Sequence, residues 1–181
     1  MRDPLSPFSY VVLALVGRRG ASAHDIVQMM RRGRAFWTAA ESHYYAEPKR
    51  LAELGYLTAE TVPGKTTQRR VYSLTSRGEE ALHQWLAQPT GFPRIQNEAV
   101  VRLLAADYTD TATLLAGLLA MRAELDTIEA DLAATIDAAP SLPHRERSIR
   151  LVADFGLRLV RANRDWLATV EAELAGPERE T

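Results

Sequence analysis

The side chains best suited to chemistry lie between residues 42 and 70, and their types suit binding to a polyanion. One group shares a mostly polar helix face at spacing i, i+3, i+4 and i+7: Ser42, Tyr45, Ala46 and Lys49. A second group lies between residues 65 and 70: Lys65, Thr66, Gln68, Arg69 and Arg70. Hydroxyl, amide and cationic groups of these types can hydrogen-bond base edges and neutralise phosphates.

The sequence contains no constellation typical of an enzyme or a metal site. Cysteine is absent, and the four histidines, His24, His43, His83 and His144, lack zinc-ligand spacing. No catalytic triad, paired carboxylates or glycine-rich phosphate loop can be recognised. We therefore expect a protein without catalytic activity, cofactor or metal.

A hairpin is predicted directly after the polar helix face. The helical pattern ends at Gly55, as it does when a left-handed residue follows a helix. Two strand-like runs, 56–62 and 69–74, then flank Pro63-Gly64 and the polar tip that contains Lys65. A helix, a hairpin with a basic tip and a further helix make the order of a winged helix-turn-helix. This order favours DNA binding by the third helix and the hairpin, which is the wing.

Capping signals place the other helices of the N-terminal half. Ser6-Pro7 begins the first helix, which reaches about residue 18, and Ser22 begins the second. Thr75 or Ser76 begins the fourth helix, with Glu79 placed to form a capping box with Ser76. Residues 1–88 are therefore predicted to form one DNA-binding domain.

The third helix has an inward face and one anomalous residue. Tyr44, Pro48 and Leu51 fall at i, i+4 and i+7, and Tyr44 is predicted to be a core aromatic residue, as is Tyr72 on the wing. An interior proline removes one backbone hydrogen bond and typically costs ~3 kcal/mol. We expect a kink or a local distortion at Pro48.

The C-terminal half is helical by pattern. A linker at 89–96 precedes a short helix at 97–107, a long helix from 109 to 138 and a final helix at 145–175, and residues 176–181 are predicted to be disordered. Two long helices joined by a tight turn form an antiparallel, coiled-coil-like hairpin that cannot bury both apolar stripes alone. A second copy of the chain is the expected partner. The stripes predicted to support dimerisation are Leu114, Leu118, Met121, Leu125, Ile128 and Leu132, then Val152, Phe155, Leu159, Ala162, Trp166 and Val170.

Charge divides along the same boundary. Residues 1–88 have 12 basic and 8 acidic side chains, a net charge of +4, whereas residues 89–181 have 10 and 15, a net charge of −5. This asymmetry favours contact of the first half with a polyanion. The apolar run 8–17 loosely resembles a signal peptide, but its flanks and helical caps favour a buried helix, and it is shorter than the ~20 residues of a membrane span. We expect a cytoplasmic protein.

The N-terminal half resembles the PadR family of bacterial winged-helix transcription regulators. The segments that carry the resemblance are Ser42-His-Tyr-Tyr45, Lys49-Arg50-Leu51, Leu54-Gly55-Tyr56-Leu57, Arg69-Arg70-Val71-Tyr72-Ser-Leu-Thr75 and Gly78. Pro48 departs from the family pattern, which usually has an aliphatic residue there. The C-terminal half looks like the longer form of that family's dimerisation domain.

The resemblance implies a homodimer, usually a repressor, that leaves its operator when it binds a small effector. Trp166 and Phe155 are candidates to line an effector pocket at the dimer interface. With the residues that the resemblance adds, the expected DNA contacts are Ser42, His43, Tyr45, Ala46, Lys49, Arg50, Lys65, Thr66, Gln68, Arg69 and Arg70.

Two alternatives remain open at this point. A MarR-like regulator has the same wing, but it dimerises through helices at both termini and has no separate C-terminal arm. A protein-interaction module could use the winged helix as a scaffold without binding DNA. Gel shifts with the DNA that flanks its own gene would separate a regulator from an interaction module.

Overall fold

The computed structural model describes residues 5–34, 36–37, 39–63, 68–93 and 95–176. The chain divides into two compact units, Met1–Phe92 and Pro93–Thr181. This division falls inside the linker predicted at 89–96. Of the tail predicted to be disordered, residues 177–181 lie outside the described residues.

The first unit contains four helices and three strands among its described residues. They are α1 (Pro7–Val16), β1 (Ala21–Ser22), α2 (Ala23–Arg32), α3 (Glu41–Glu53), β2 (Leu57–Val62), β3 (Arg69–Leu74) and α4 (Ser76–Leu86). The first helix ends at Val16, earlier than predicted, because a short 3₁₀ turn at Gly17–Arg19 takes over.

Local hydrogen bonds fix where the helices begin. The Ser9 amide of α1 donates to Ser6 Oγ at 3.2 Å, and Pro7 occupies the first helical turn. In α2 the Asp25 amide donates to Ser22 Oγ, while Ser22 donates its own amide to the Asp25 carboxylate. In these two helices the predicted start is confirmed.

The start of α4 confirms one of the two predicted caps. Thr75, not Ser76, is the cap, and its Oγ1 accepts a hydrogen bond from the Gly78 amide at 3.1 Å. The predicted capping box between Ser76 and Glu79 is therefore wrong. Thr75 is in extended conformation directly after β3 and also donates to the Gly55 carbonyl at 2.7 Å, so the junction with the sheet selects it over Ser76.

The three strands form one antiparallel sheet in the order β1-β3-β2. Leu57 pairs with Leu74 at the base of the wing, and Val62 pairs with Arg69 towards its tip. Strand β1 was not predicted, because two residues are too few to show alternation. Gly20 precedes it with φ of +70°, and a Cβ there would lie 2.8 Å from the Tyr72 carbonyl oxygen.

The core of the first unit lies between the sheet and α1, α2 and α3. Its fully buried members include Val12 and Leu13 of α1, Ile26 of α2 and Leu51 of α3. These side chains come from the apolar face that each helix presents at a spacing of three and four residues. The core therefore holds α3 in place from one side only.

The second unit is helical throughout its described residues. Its helices are α5 (Glu98–Leu104), α6 (Thr111–Leu119), α7 (Met121–Ala138) and α8 (Glu146–Ala175). The predicted single helix at 109–138 is wrong, because it is divided at Ala120 into α6 and α7. The apolar pattern continues without interruption on both sides of Ala120. The sequence therefore gives no sign that the helix is divided there.

Helices α7 and α8 pack as an antiparallel pair. Arg122 pairs with Glu171 at 2.6 Å, and Arg164 pairs with both Asp126 and Glu129 at 2.6 Å. Residue numbers rise along α7 as those of the paired residues fall along α8. The two helices are therefore antiparallel. The predicted α-helical hairpin is therefore present within one chain.

Helix α8 has two apolar faces, and the face packed within the unit differs from the stripe predicted for dimerisation. Its buried residues are Ala153, Gly156, Val160, Leu167 and Val170, of which the predicted stripe contained Val170 alone. The small residues Ala153 and Gly156 allow close helix packing, which a pattern weighted towards bulky residues does not reveal. Val152 and Phe155 remain 54% and 51% exposed.

On α6 and α7, by contrast, the predicted stripe is largely internal. Leu114, Leu118, Leu125 and Leu132 are buried within the single chain. They therefore serve the packing of the unit itself. Among the described residues, exposed apolar side chains of this unit include Leu151, Val152 and Phe155 of α8 and Val101 and Leu104 of α5.

Candidate nucleic-acid interface

Helix α3 presents the predicted polar face to solvent. Ser42, Tyr45, Ala46 and Lys49 are all exposed, whereas Tyr44, Pro48 and Leu51 are buried. Among the described residues, none of these four exposed side chains makes an ion pair or a side-chain hydrogen bond. A hydroxyl, a phenol and an ammonium group are thus available to a ligand along one face of the helix.

The inward face shows how α3 is held. The Tyr44 hydroxyl accepts a hydrogen bond from the Ala39 amide at 2.9 Å, and the Tyr44 ring lies 5.5 Å from the Phe8 ring. Tyr72 is buried in the core, as predicted. Both tyrosines therefore support the interface rather than forming its surface.

Helix α3 runs without interruption through Pro48. The proline ring is fully buried. Because proline has no N–H, the Tyr44 carbonyl lacks the helical hydrogen bond that it would otherwise accept. The segments of α3 before and after Pro48 are thus joined by one backbone hydrogen bond fewer than in a regular helix.

Two residues expected to contact DNA have contacts within the chain. His43 is exposed, with its ring 6.3 Å from the Phe8 ring. Arg50 forms a bidentate pair with Glu47, in which Nε donates to Oε2 at 2.9 Å and Nη2 to Oε1 at 2.7 Å. Arg50 also donates to Ser9 Oγ at 3.0 Å. Its guanidinium group is therefore engaged by α1 and α3.

The wing adds basic groups next to the helix-turn-helix. Gln68, Arg69 and Arg70 are exposed on or beside β3. Arg69 lies 3.9 Å from the Asp25 carboxylate of α2, which ties the wing to the helix-turn-helix. The other two predicted wing residues, Lys65 and Thr66, lie outside the described residues.

Two carboxylates beside this surface are stabilised in the ionised form. Burial acts to raise the pKa of Asp25, but hydrogen bonds from Ser22 and the charge of Arg69 outweigh it and lower the pKa. Burial likewise acts to raise the pKa of Glu47, and hydrogen bonds from Arg50 and Ser9 lower it further than burial raises it. Both groups are therefore anions at neutral pH.

These lowered pKa values predict acid sensitivity. A carboxylate with a lowered pKa in the folded state stabilises the fold above its ordinary pKa and loses that contribution as the pH falls. We expect the melting temperature of the first unit to fall between about pH 5 and pH 3, and to fall less in Asp25→Asn, which keeps an acceptor for the cap but cannot ionise. Thermal unfolding followed by circular dichroism measures this. Identical slopes for the two proteins would contradict the prediction.

A shallow pocket beside α3 was not foreseen from the sequence. It has a volume of about 300 Å³, and its lining includes Phe8, Trp37, His43 and Glu47. Phe8 comes from α1, far in sequence from the other three residues, so the packing of α1 on α3 completes the pocket. The predicted effector residues belong to the second unit, where Phe155 is exposed and Trp166 is partly exposed.

Within the described residues, no group of three or more His, Cys, Asp or Glu side chains is placed to hold a metal ion. Nor does any helix in this part of the chain have the length and apolar character needed to cross a membrane.

A three-helix core with an exposed third helix and a basic two-stranded wing defines a winged helix-turn-helix protein. Residues 12–84 match the profile described as the transcriptional regulator PadR-like family, and residues 95–175 match the virulence activator alpha C-term profile. The winged-helix unit therefore belongs to the PadR-like family of transcriptional regulators. The predicted fold class, mainly α with an N-terminal winged helix and a C-terminal helical domain, is confirmed. A family of regulators also agrees with the expectation that the chain is not an enzyme.

Individual proteins show how far the similarity extends. The chain is 31% identical over 86 residues to the negative transcriptional regulator PadR of Bacillus subtilis, a match that covers 46% of this chain and 47% of that protein. It therefore spans about half the length of that relative. The probable transcriptional regulator Rv1176c of Mycobacterium tuberculosis is 24% identical over 181 residues, covering 91% of this chain and 96% of that protein.

Solved structures share the fold over nearly the whole chain. The crystal structure of Bacillus subtilis PadR in complex with operator DNA has a TM-score of 0.79 at 21% identity, covering 95% of this chain and 99% of that one. The Vibrio cholerae virulence activator AphA has a TM-score of 0.69 at 26% identity, covering 92% and 97%. Both units thus have counterparts in proteins of known structure.

Proposed function

We propose that the chain is a homodimeric transcriptional repressor that binds operator DNA through α3 and the wing and is released by a small effector. The observation that carries the proposal is the exposed face of α3, where Ser42, Tyr45 and Lys49 have no polar partner within the described residues. Solvated side chains beside a basic hairpin suit phosphate contacts and base-edge contacts in one groove. Such a regulator acts in the cytoplasm, where its operator is.

The relatives support the individual parts of this proposal. Bacillus subtilis PadR is named a negative regulator, and it has been crystallised with operator DNA and with p-coumaric acid. Its sequence similarity to this chain lies in about half of each protein. Repression and release by a small ligand are therefore the most direct functions to test. AphA is described as an activator, so activation is the alternative outcome with which repression is compared.

The exposed apolar face of α8 supports dimerisation. Val152 and Phe155 are separated by one helical turn, and both remain about half exposed in a single chain. Val101 and Leu104 of α5 are also exposed in the same unit. A symmetric dimer buries the same patch of both protomers at once and fixes the distance between two recognition helices. Dimerisation is thus proposed to occur through α8, and Trp166 and Phe155 are proposed to lie near the effector.

The contribution of Lys49 to DNA binding is tested through the salt dependence of affinity. We expect Lys49→Ala to weaken binding to the DNA upstream of its own gene and to reduce the slope of log affinity against log salt by about one unit. The reason is that a lysine on phosphate releases about one counterion when it binds. Fluorescence anisotropy over several salt concentrations measures the slope.

Arg161→Ala is the matched control for Lys49→Ala. Arg161 is an exposed cation on the polar face of α8, so removing it changes the net charge equally but in the other unit. Its slope is expected to equal that of the wild type. If Lys49→Ala and Arg161→Ala give the same slope, α3 does not contact phosphate through Lys49.

A further inference from the structure

A buried serine of α1 connects two charged residues of α3. Ser9 is 0% exposed, and its hydroxyl donates to Glu47 Oε1 at 2.7 Å. Ser9 Oγ also accepts hydrogen bonds from the Ser6 amide at 2.9 Å and from Arg50 Nη2 at 3.0 Å. A serine hydroxyl has one proton to donate and two lone pairs that accept. Ser6 Oγ also lies 3.0 Å from Ser9 Oγ, so the buried hydroxyl has four polar neighbours and its hydrogen-bonding capacity is filled.

The charged pair on α3 is equally well satisfied. The Glu47 side chain is only 13% exposed and receives two hydrogen bonds from Arg50 in bidentate geometry. Charge-assisted bidentate pairs are strong and directional. Leaving a mostly buried carboxylate without these donors is costly. Ser9, Glu47 and Arg50 therefore form one unit, the Ser9–Glu47–Arg50 cluster.

This cluster flanks the position where α3 lacks a backbone hydrogen bond. Pro48 removes the hydrogen bond that would join its position to Tyr44. Glu47 precedes the proline and Arg50 follows it, and both are bonded to the same hydroxyl of α1. The cluster thus holds the segments on both sides of Pro48 to a common point.

We propose that Glu47 and Arg50 are positioning residues that, through Ser9, set the orientation of the recognition helix on α1. In this role Arg50 aligns the exposed face of α3 and does not act as a phosphate contact. The inference rests on the proposed function in one respect, namely that α3 binds DNA. It assigns Glu47 and Ser9, which are not themselves expected to touch DNA, a part in that binding.

The competing interpretation is that Arg50 contacts phosphate directly, and it predicts effects of opposite sign. If Arg50 were a phosphate contact, neutralising Glu47 would remove a nearby negative charge and free the guanidinium, so DNA binding would tighten. If the cluster positions α3, the same change weakens binding, because a glutamine cannot accept both hydrogen bonds from Arg50. The sign of the change therefore separates the two roles.

The first experiment compares Glu47→Gln with Glu53→Gln in the full chain. Glu53 is an exposed carboxylate on the same helix with no side-chain partner among the described residues, so its replacement makes the same change in charge. We expect Glu47→Gln to bind the duplex upstream of its own gene about tenfold more weakly, as for loss of one charge-assisted hydrogen bond. Glu53→Gln should bind as tightly as the wild type or more tightly. Tighter binding by Glu47→Gln would overturn the proposal.

The second experiment measures the salt slope of Arg50→Lys and Arg50→Ala. A lysine retains the charge but not the bidentate geometry. The positioning role predicts that both variants bind about tenfold more weakly, with the salt slope of the wild type. Rescue by lysine, with a slope lowered by about one unit in alanine, would show a phosphate contact and overturn the proposal.

A thermal double-mutant cycle tests the cluster without DNA. The melting temperatures of Ser9→Ala, Glu47→Gln and the double variant are compared with that of the full-length wild type. Coupled residues give a double variant less destabilised than the sum of the single variants. Additive shifts would disprove the cluster even if DNA binding persists. If the wild type binds no duplex while the cycle shows coupling, the proposed function fails and the cluster remains.

Discussion

Alanine at position 78 is expected to unfold the N-terminal unit at temperatures where the wild type is folded. Gly78 lies in the first turn of α4, where a Cβ would come within 2.2 Å of the Tyr56 carbonyl oxygen and 3.2 Å of its carbon. These are backbone atoms, and the same oxygen accepts the Thr75 amide at 3.1 Å. The clash therefore cannot be relieved by rotating a side chain. We expect a loss of roughly 3 kcal/mol or more in the free energy of unfolding.

The sign of this effect is informative because helix propensity predicts the reverse. Alanine is favoured over glycine by up to about 1 kcal/mol within a helix. Thermal unfolding by circular dichroism should show a fall in melting temperature of roughly 12 °C or more for the N-terminal transition. Gly91→Ala is the control, since a Cβ at Gly91 meets no atom within 4 Å. An unchanged or raised melting temperature in Gly78→Ala would show that α4 and Tyr56 can move apart.

Replacing Phe155 with glutamate is expected to convert the proposed dimer into monomers that still fold. Phe155 is 51% exposed in one chain, so a carboxylate there is solvated in the monomer. In a dimer formed through α8, two carboxylates would be buried near the symmetry axis without partners, which is strongly unfavourable. DNA affinity should then fall by about a hundredfold or more. In a dimer, binding of one DNA-binding unit makes binding of the second unit to its half-site intramolecular, and a monomer loses this advantage.

Light scattering coupled to size exclusion measures the mass of the Phe155→Glu variant at micromolar concentration. Ala168→Glu introduces the same charge at an exposed position on the polar side of α8 and should remain dimeric. The circular dichroism spectra of both variants should match that of the wild type. A dimeric Phe155→Glu variant would exclude this face of α8 as the interface.

Much of the fold follows from local signals in the sequence. Ser6-Pro7 and Ser22 begin their helices as predicted, and Arg69–Leu74 is a strand, because caps and alternation act over a few residues. Thr75 was one of the two caps predicted for α4, and its hydrogen bond to the Gly55 carbonyl selects it over Ser76. The division at Ala120 lies within an uninterrupted apolar pattern and has no local signal in the sequence.

The candidate site shows the same division. The exposed face of α3 is read correctly from its spacing, since a helix fixes which residues share a side. The Ser9–Glu47–Arg50 cluster joins residues about forty positions apart, and Arg50 was expected to contact DNA because basic residues on a recognition helix usually suggest that role. Only the packing of α1 against α3 shows that its guanidinium group is already bonded.

The two apolar faces of α8 illustrate a further limit. A periodic pattern identifies apolar positions but does not say which of two neighbouring stripes meets the chain's own helix. Bulky Phe155 and Val152 dominate the pattern, whereas Ala153 and Gly156 form the closer internal contact. Residue size, not hydrophobicity alone, decides which face is internal.

The two-residue strand β1 joins the base of the wing to the helix-turn-helix. Ser22 pairs with Val71 of the wing and also caps α2, and Asp25 of that helix lies 3.9 Å from Arg69. The base of the hairpin is therefore anchored to the helices through β1. In the proposed complex with DNA, the duplex would adjust its curvature and groove width to this anchored base. Base steps that bend easily would then favour binding even at positions that no side chain reaches.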